Sequence, residues 1–500
     1  MLQRGLGVLL HLTSLPSAHG VGDLGPEAHA FASWLAEAGA GVWQMLPLAP
    51  TEPGRGNSPY NSSSTFAGNP LLISPELLAQ DGLLTPEDLA AAPEFPAGRV
   101  DYEAAWRWRG ELLRRAGRRA LDQFSLRSEI ERFARREAAW LEDYCLFACI
   151  ARDQGMRLWS QWPWELRDRQ PQALDGARER LARELDQERF QQWAFDCQWR
   201  GLRARCQELG VTLLGDMPIY VDQQSADVWA HPELFKLDGA KSPWVVAGVP
   251  PDYFSATGQR WGNPVYDWEA HRREGFAWWS RRLDRHLELF DLVRVDHFRG
   301  LVAYWEIPAL EPTAINGKWV PAPGLELFKT LARRHPALPI VAEDLGLIDA
   351  EVREVKRLLG LPGMAILMFA FGEDNPANPY LPHNHRPDLL AYTGTHDNNT
   401  LRGWLAQEAD PATKDRIRRY LGRQRLDDAE LAQAMLRLVL ASVADLAVLP
   451  VQDILGLGAE ARMNTPSQRD GNWTWRLQPG QLGPDQAQAL WEMAGVYGRR

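Results

Sequence analysis

Two patterns of apolar residues alternate along this chain. Short unbroken runs of Val, Ile and Leu are the mark of strands buried on both faces, whereas longer stretches with an apolar residue every third or fourth position mark helices with one buried face. Gly-Val-Leu-Leu-His-Leu at 7–12 predicts a first strand. Residues 26–39 predict a helix, with Phe31, Leu35 and Ala38 on one face and Gly39 as its stop. Val-Trp-Gln-Met-Leu at 42–46 predicts a second strand, and strand–helix–strand in that order is the βαβ unit of a parallel sheet. Further strands are predicted at 211–216, 291–295, 340–343, 364–369, 391–396 and 446–451, with helical pattern between most of them, including 271–289. Eight strands so spaced predict an α/β fold, a (β/α)8 TIM barrel.

Three stretches interrupt that rhythm. Residues 51–70 form a loop rich in Gly, Pro, Asn and Ser. From 71 to 206 strand signals vanish and Arg, Glu, Leu and Trp recur at helical spacing, as in 129–150, which predicts a large, mostly helical insertion. Residues 222–268 are rich in Pro, Gly and Trp and predict a loop-rich insertion over the cleft, since a loop of that length inside a compact protein is usually functional. The whole of 1–500 is read as one catalytic barrel unit with insertions.

The formal net charge of −10 argues against nucleic acid or an anionic membrane as partner and suits a neutral substrate. No stretch approaches the roughly 20 apolar residues that span a bilayer. The opening run resembles the start of a signal peptide, but His11 breaks it and no small-residue cleavage site follows, so it reads as a strand. Cys145 and Cys149, one helical turn apart in an apolar segment, read as packing residues rather than ligands; with Cys197 and Cys206 they show no CxxC spacing, which disfavours a structural zinc and fits a reducing cytoplasm. The 22 tryptophans exceed what composition alone leads one to expect, and most belong in a core. Trp261, among Gly, Asn and Pro, is placed as a flat ring for a pyranose face.

The candidate chemistry sits where strands end. Arg294 and Asp296 are two apart on one strand and share a face, and a fixed guanidinium keeps a neighbouring carboxylate ionised. Alone, that pair reads equally as a nucleophile or as a buried ion pair holding a loop. Asp216, Glu343 and Asp397 also end strands, and C-terminal strand ends converge on the active face of a barrel. Clustered carboxylates repel, which raises the pKa of at least one. Paired acids there point to glycosidic-bond chemistry, with nucleophile and proton donor about 5–5.5 Å apart for retention. A metal site is the competing reading, disfavoured by carboxylates beside an arginine.

The motifs Gly-Val-Leu-Leu-His-Leu-Thr-Ser-Leu-Pro (7–16), Gly-Asn-Ser-Pro-Tyr (56–60), Gly-Asp-Met-Pro-Ile-Tyr-Val (215–221) and Gly-Val-Pro-Pro-Asp-Tyr-Phe (248–254) occur in that order. Arg-Val-Asp-His-Phe-Arg-Gly (294–300), Ala-Glu-Asp-Leu-Gly (342–346), Thr-Gly-Thr-His-Asp-Asn (393–398) and Ala-Arg-Met-Asn-Thr-Pro (461–466) follow. Together they resemble the 4-α-glucanotransferases, or amylomaltases, of glycoside hydrolase family 77. The resemblance implies a transferase that uses no cofactor or metal and acts on α-1,4-glucans and maltooligosaccharides, with glucose as an acceptor. It implies Asp296 as nucleophile, Glu343 as general acid/base and Asp397 as transition-state stabiliser. Arg294, His396 and Asp216 would frame the reacting sugar; Tyr60, Trp261, Gln259, Ser58, His297, Asp344 and Asn464 would contact the glucan. Residues 248–258 match a loop that arches over the cleft. A retaining α-glucan hydrolase and a glucan-binding protein without catalysis are the alternatives, and a monomer or weak homo-oligomer is expected.

Overall fold

A computed structural model describes residues 3–251, 255–346, 348–468 and 470–500. Among these, in chain order, the strands are β1 (Gly5–Leu9), β2 (Val42–Gln44), β3 (Thr212–Met217), β4 (Val245–Val249), β5 (Gln259–Pro264) and β6 (Leu292–Val295). They continue with β7 (Ala303–Pro308), β8 (Lys318–Pro321), β9 (Ile340–Ala342), β10 (Gly363–Ile366), β11 (Leu389–Tyr392) and β12 (Leu446–Pro450). Eight of them form one parallel sheet in the order β10-β11-β12-β1-β2-β3-β6-β9. It is a (β/α)8 barrel.

The runs that predicted strands are buried nearly throughout, as a sheet lined with side chains inside and covered by helices outside requires. Close packing there demands glycine at one point. A Cβ on Gly215 of β3 would lie 2.1 Å from the Phe290 ring, so only hydrogen fits beside Asp216. Between β9 and β10, the two ends of the ladder, the barrel is closed by few bonds. The Ala342 N–H donates to the Pro362 carbonyl at 2.9 Å. Asp344 adds a second tie: its carboxylate accepts the Met364 N–H at 2.8 Å and pairs with Lys356.

The stretch between β2 and β3 is helical, as its pattern predicts, and ends in the long helix Ala182–Glu208, which returns the chain to the barrel. Trp199 on that helix donates to the Leu289 carbonyl at 3.0 Å and meets Phe290 edge-on. Arg109, fully buried on the helix Tyr102–Asp122, donates to the carbonyls of His19, Val21 and Ile73 and pairs with Asp23 at 2.6 Å. A single guanidinium thus pins the helical stretch to the loop after β1. Cys145, Cys149 and Cys206 are buried free thiols, and burial pushes the Cys149 thiol up to about 12, so these sulfurs pack rather than react. Among the most deeply buried side chains are Trp43, Trp159, Trp199, Trp229, Trp278 and Trp279. The one helix expected over 271–289 is two, Trp268–Arg273 and Ala277–Leu289, because Gly275 and Phe276 both take left-handed backbone conformations, φ 65° and 56°.

Residues 222–268 hold more than loop. β4 and β5 pair antiparallel, and β4 also pairs with β7, which pairs with β8, giving a second sheet in the order β5-β4-β7-β8. Its partners arrive from after β6, so nothing local in 222–268 announces them. Inside, Lys236 reaches Tyr304 and the buried Glu306. Of the motif at 248–258, Asp252, Tyr253 and Phe254 lie outside the described residues. No helix among the described residues is long and apolar enough to cross a membrane.

Candidate active site

The C-terminal ends of the barrel strands deliver the acids to one place. Asp216 lies on β3, Asp296 and Glu343 directly follow β6 and β9, and His396 and Asp397 follow β11 by a short extended turn. Arg294, buried on β6, joins two of them: it donates to Asp216 Oδ2 at 2.6 Å and pairs with Asp296 Oδ1 at 2.9 Å. Strand alternation puts Arg294 and Asp296 on one face, so the guanidinium grips Oδ1 of Asp296, while Oδ2 has no hydrogen-bond partner among the described residues. The Asp296 side chain keeps 28% of its surface open, enough to be reached.

Glu343 has a different setting. Its carboxylate accepts the backbone N–H of His297 at 2.8 Å and of Leu345 at 2.8 Å, one on each oxygen. Burial pushes its pKa up to about 7, with Asp296 adding to the rise and Arg294 opposing it. The two acids on adjacent strands therefore differ in kind: Asp296 has an arginine as counter-ion, whereas the strongest influence on Glu343 is loss of solvent. His297, between them, takes a left-handed conformation, φ 47°, and a Cβ on Gly300 would come within 3.0 Å of its ring. That turn sends the Asp296 side chain and the His297 N–H in the directions described.

On the opposite side Tyr60 reaches in from the loop after β2. Its hydroxyl lies 2.8 Å from Asp216 Oδ2 and 2.8 Å from His396 Nε2. Burial and Asp216 raise its pKa well above the usual value, so it keeps its proton. Donating to Asp216, it accepts from His396 Nε2–H. Its ring stacks on His396, centroids 5.3 Å apart, and both rings rest on Trp473. Ser58 accepts the Tyr60 N–H at 3.2 Å, so it shapes the turn that aims Tyr60. For His396 burial alone would lower the pKa, but Asp397, 3.3 Å from Nε2, turns the balance upward. Asp397 Oδ1 also accepts from Asn464 Nδ2 at 2.6 Å. Its surroundings would by themselves raise its pKa; His396 and Asn464 outweigh them and hold it well below the usual carboxylate range.

Gln259 and Trp261 stand on β5 and contact one another, Trp261 Nε1 donating to Gln259 Oε1 at 3.1 Å. The Trp261 edge meets His297, centroids 4.8 Å apart, which brings it beside Asp296. Asp344 is not brought into this group. Its oxygens are taken at the β9–β10 seam, Oδ1 by the Met364 N–H and Oδ2 by Lys356.

Some residues at the site carry no separate signal in the sequence. Trp473 is the platform under Tyr60 and His396, and Arg462 donates to the Asp397 carbonyl at 3.0 Å and to the Asn464 carbonyl at 2.8 Å. Arg462 stands inside the motif at 461–466 and was legible as a member of it; Trp473 was one tryptophan among 22. Among the described residues no group of three or more His, Cys, Asp and Glu is arranged to hold a metal ion.

Residues 10–482 match the family model described as 4-alpha-glucanotransferase. The chain belongs to the 4-alpha-glucanotransferase family. It is 50% identical over 500 residues to the 4-alpha-glucanotransferase of Thermus thermophilus, covering 99% of this chain and 98% of that one. The Aquifex aeolicus enzyme of the same name is 44% identical over 493 residues, 99% of each chain. In structure the chain is similar to an amylomaltase from Streptococcus agalactiae solved in complex with acarbose, with TM-score 0.96, 36% identity, and coverage of 99% of this chain and 100% of that one.

Proposed function

We propose that this member of the 4-alpha-glucanotransferase family transfers an α-1,4-glucan segment from a donor to the 4-hydroxyl of glucose or of another glucan, by double displacement with retention. One observation carries the reading: a carboxylate beside an arginine, Asp296, faces the same cleft as a buried carboxyl group, Glu343, whose pKa rises to about 7. That is the division of labour between nucleophile and proton donor that glycoside chemistry needs.

In the first step the uncommitted oxygen of Asp296 attacks the anomeric carbon and the glycosidic C–O bond breaks. The proton of Glu343 passes to the departing 4-oxygen. In the second step Glu343, now ionised, takes the proton of an acceptor 4-hydroxyl, whose oxygen attacks the same carbon and releases Asp296. Arg294 stabilises the Asp296 carboxylate when free and as it departs. Asp397 and His396, tied to each other and to Tyr60, hold hydroxyls of the sugar that is distorted toward the oxocarbenium-like transition state. Gln259 and Trp261 form a wall with a flat ring for a pyranose face.

Incubation with pure maltotriose tests this, following both the product ladder and total reducing ends. Glucose plus longer maltooligosaccharides at constant reducing ends is the expected result. Rising reducing ends would identify a hydrolase, and no reaction despite binding would identify a glucan-binding protein.

A further inference from the structure

Residues 394–400 connect β11 to the helix Leu401–Gln407 and carry His396 and Asp397. Within this turn, Asn398 Oδ1 accepts from both the backbone N–H and the hydroxyl of Thr395, at 2.8 and 3.1 Å. At its two ends a single side chain from the short helix after β12 takes over. The Thr393 hydroxyl donates to Asp453 Oδ2 at 2.5 Å, and the Leu401 N–H donates to Asp453 Oδ1 at 2.7 Å. Asp453 lies in the short helix Val451–Ile454 that follows β12, and it is 4% exposed.

We infer that Asp453 is a positioning residue for Asp397: by bridging Thr393 and Leu401 it fixes both ends of the turn that presents Asp397 and His396 to the sugar. The inference rests on the reading that Asp397 contacts the reacting sugar. Two features argue that the bridge does more than fill space. A buried carboxylate is costly, and among the described residues no basic side chain makes an ion pair with Asp453; what it has is two short bonds, one to each end of the turn. Burial pushes its pKa up to about 6, the strain of keeping an acid where a neutral residue would sit more easily. Other ties reach the turn from elsewhere: Arg462 holds the Asp397 carbonyl, Asn464 the Asp397 carboxylate and the His396 carbonyl, Met368 the Thr393 carbonyl, and Asn399 reaches Glu408. Asp453 differs from these in joining one end of the turn to the other through a single side chain.

An amide at 453 can still accept the Leu401 N–H through its oxygen, while its NH2 donates to the Thr393 hydroxyl, whose bond simply reverses. Asp453→Asn should therefore retain most activity. Asp453→Ala and Thr393→Val each open the bridge. Displacement of a transition-state contact by a fraction of an ångström should lower kcat about ten- to hundredfold. KM for maltotriose should change far less, and the pH profile set by Glu343 should keep its shape. A merely structural role would lower Tm and leave kcat per folded molecule untouched, and that result in Thr393→Val would overturn the inference even if Asp453→Ala fails to fold. Thr393→Ser should rescue the valine variant. Asp397→Asn serves as the reference: if it loses kcat while Thr393→Val does not, the bridge is refuted and the role of Asp397 stands. If Asp397→Asn keeps kcat, the role of Asp397 falls first.

Discussion

Glu343 and Trp261 border the same cleft and are held in opposite ways. Glu343 ends a barrel strand, and each of its oxygens accepts a backbone N–H. Trp261 stands on an edge strand of the antiparallel sheet, 37% exposed, with its indole N–H given to its neighbour Gln259. Glu343, on the barrel floor, is thus held by main chain, from the turns that follow two neighbouring barrel strands. The wall is set by side chains that lean on each other and can be displaced by a ligand. The chemistry, which needs positions accurate to fractions of an ångström, is on the floor. On the proposed reading, the surface that meets glucans of varied length is the wall.

If the floor carries chemistry, Asp296→Asn has the largest effect. Its turnover of maltotriose should fall by at least about 10³-fold with Tm nearly unchanged, because one of the two Arg294 partners remains. Near-wild-type turnover would end the nucleophile assignment. Glu343→Gln should lower kcat by about 10²–10⁴-fold and remove the alkaline limb near pH 7, where the wild type loses its donated proton. The same group has a stability signature. Its folded pKa of about 7 lies above its ordinary 4.5, so its contribution to stability is complete below 4.5 and is lost as pH rises through 7. Thermal melts from pH 5 to 8 should show the wild type declining relative to Glu343→Gln; parallel curves would refute the raised pKa.

The wall predicts a smaller and different change. Trp261→Ala should raise KM by about tenfold, the worth of roughly 1–1.5 kcal/mol of ring contact, while kcat changes less. A loss confined to kcat would place Trp261 with the floor. Smallest for the reaction is Asp344→Ala. It leaves the buried Met364 N–H unpaired and should cost about 1–3 kcal/mol of stability, read by denaturant titration. KM for maltotriose should stay within about twofold, because both Asp344 oxygens already serve the seam. A rise in KM with unchanged stability would restore the expected glucan contact.

The same division explains what could be read in advance. Barrel strands announce themselves because burial on both faces writes an unbroken apolar run, and an acid at the end of such a run stands out, as Asp216 and Glu343 do. The wall does not announce itself. β5 reads Gln-Arg-Trp-Gly-Asn-Pro, with neither run nor alternation, and exists as a strand because β4 pairs with it, while β7 comes from a distant segment to complete the sheet. The setting of Asp344 was hidden for a related reason. That residue sits beside Glu343 in a motif of functional acids, and only its partner on β10 reveals that its duty is to the backbone. The break at Phe276 was hidden because apolar spacing runs on through it, although the backbone turns left-handed at Gly275 and Phe276.

Where β9 meets β10, a hoop of eight staves is fastened, among the described residues, by one backbone hydrogen bond from Ala342 to Pro362 and by the side chain of Asp344, the immediate neighbour of Glu343. The buckle of the barrel and the buried carboxyl group of Glu343 are consecutive residues. The tie that closes the barrel and the carboxyl group of raised pKa share one stretch of backbone, so barrel closure and the setting of Glu343 are one structural feature.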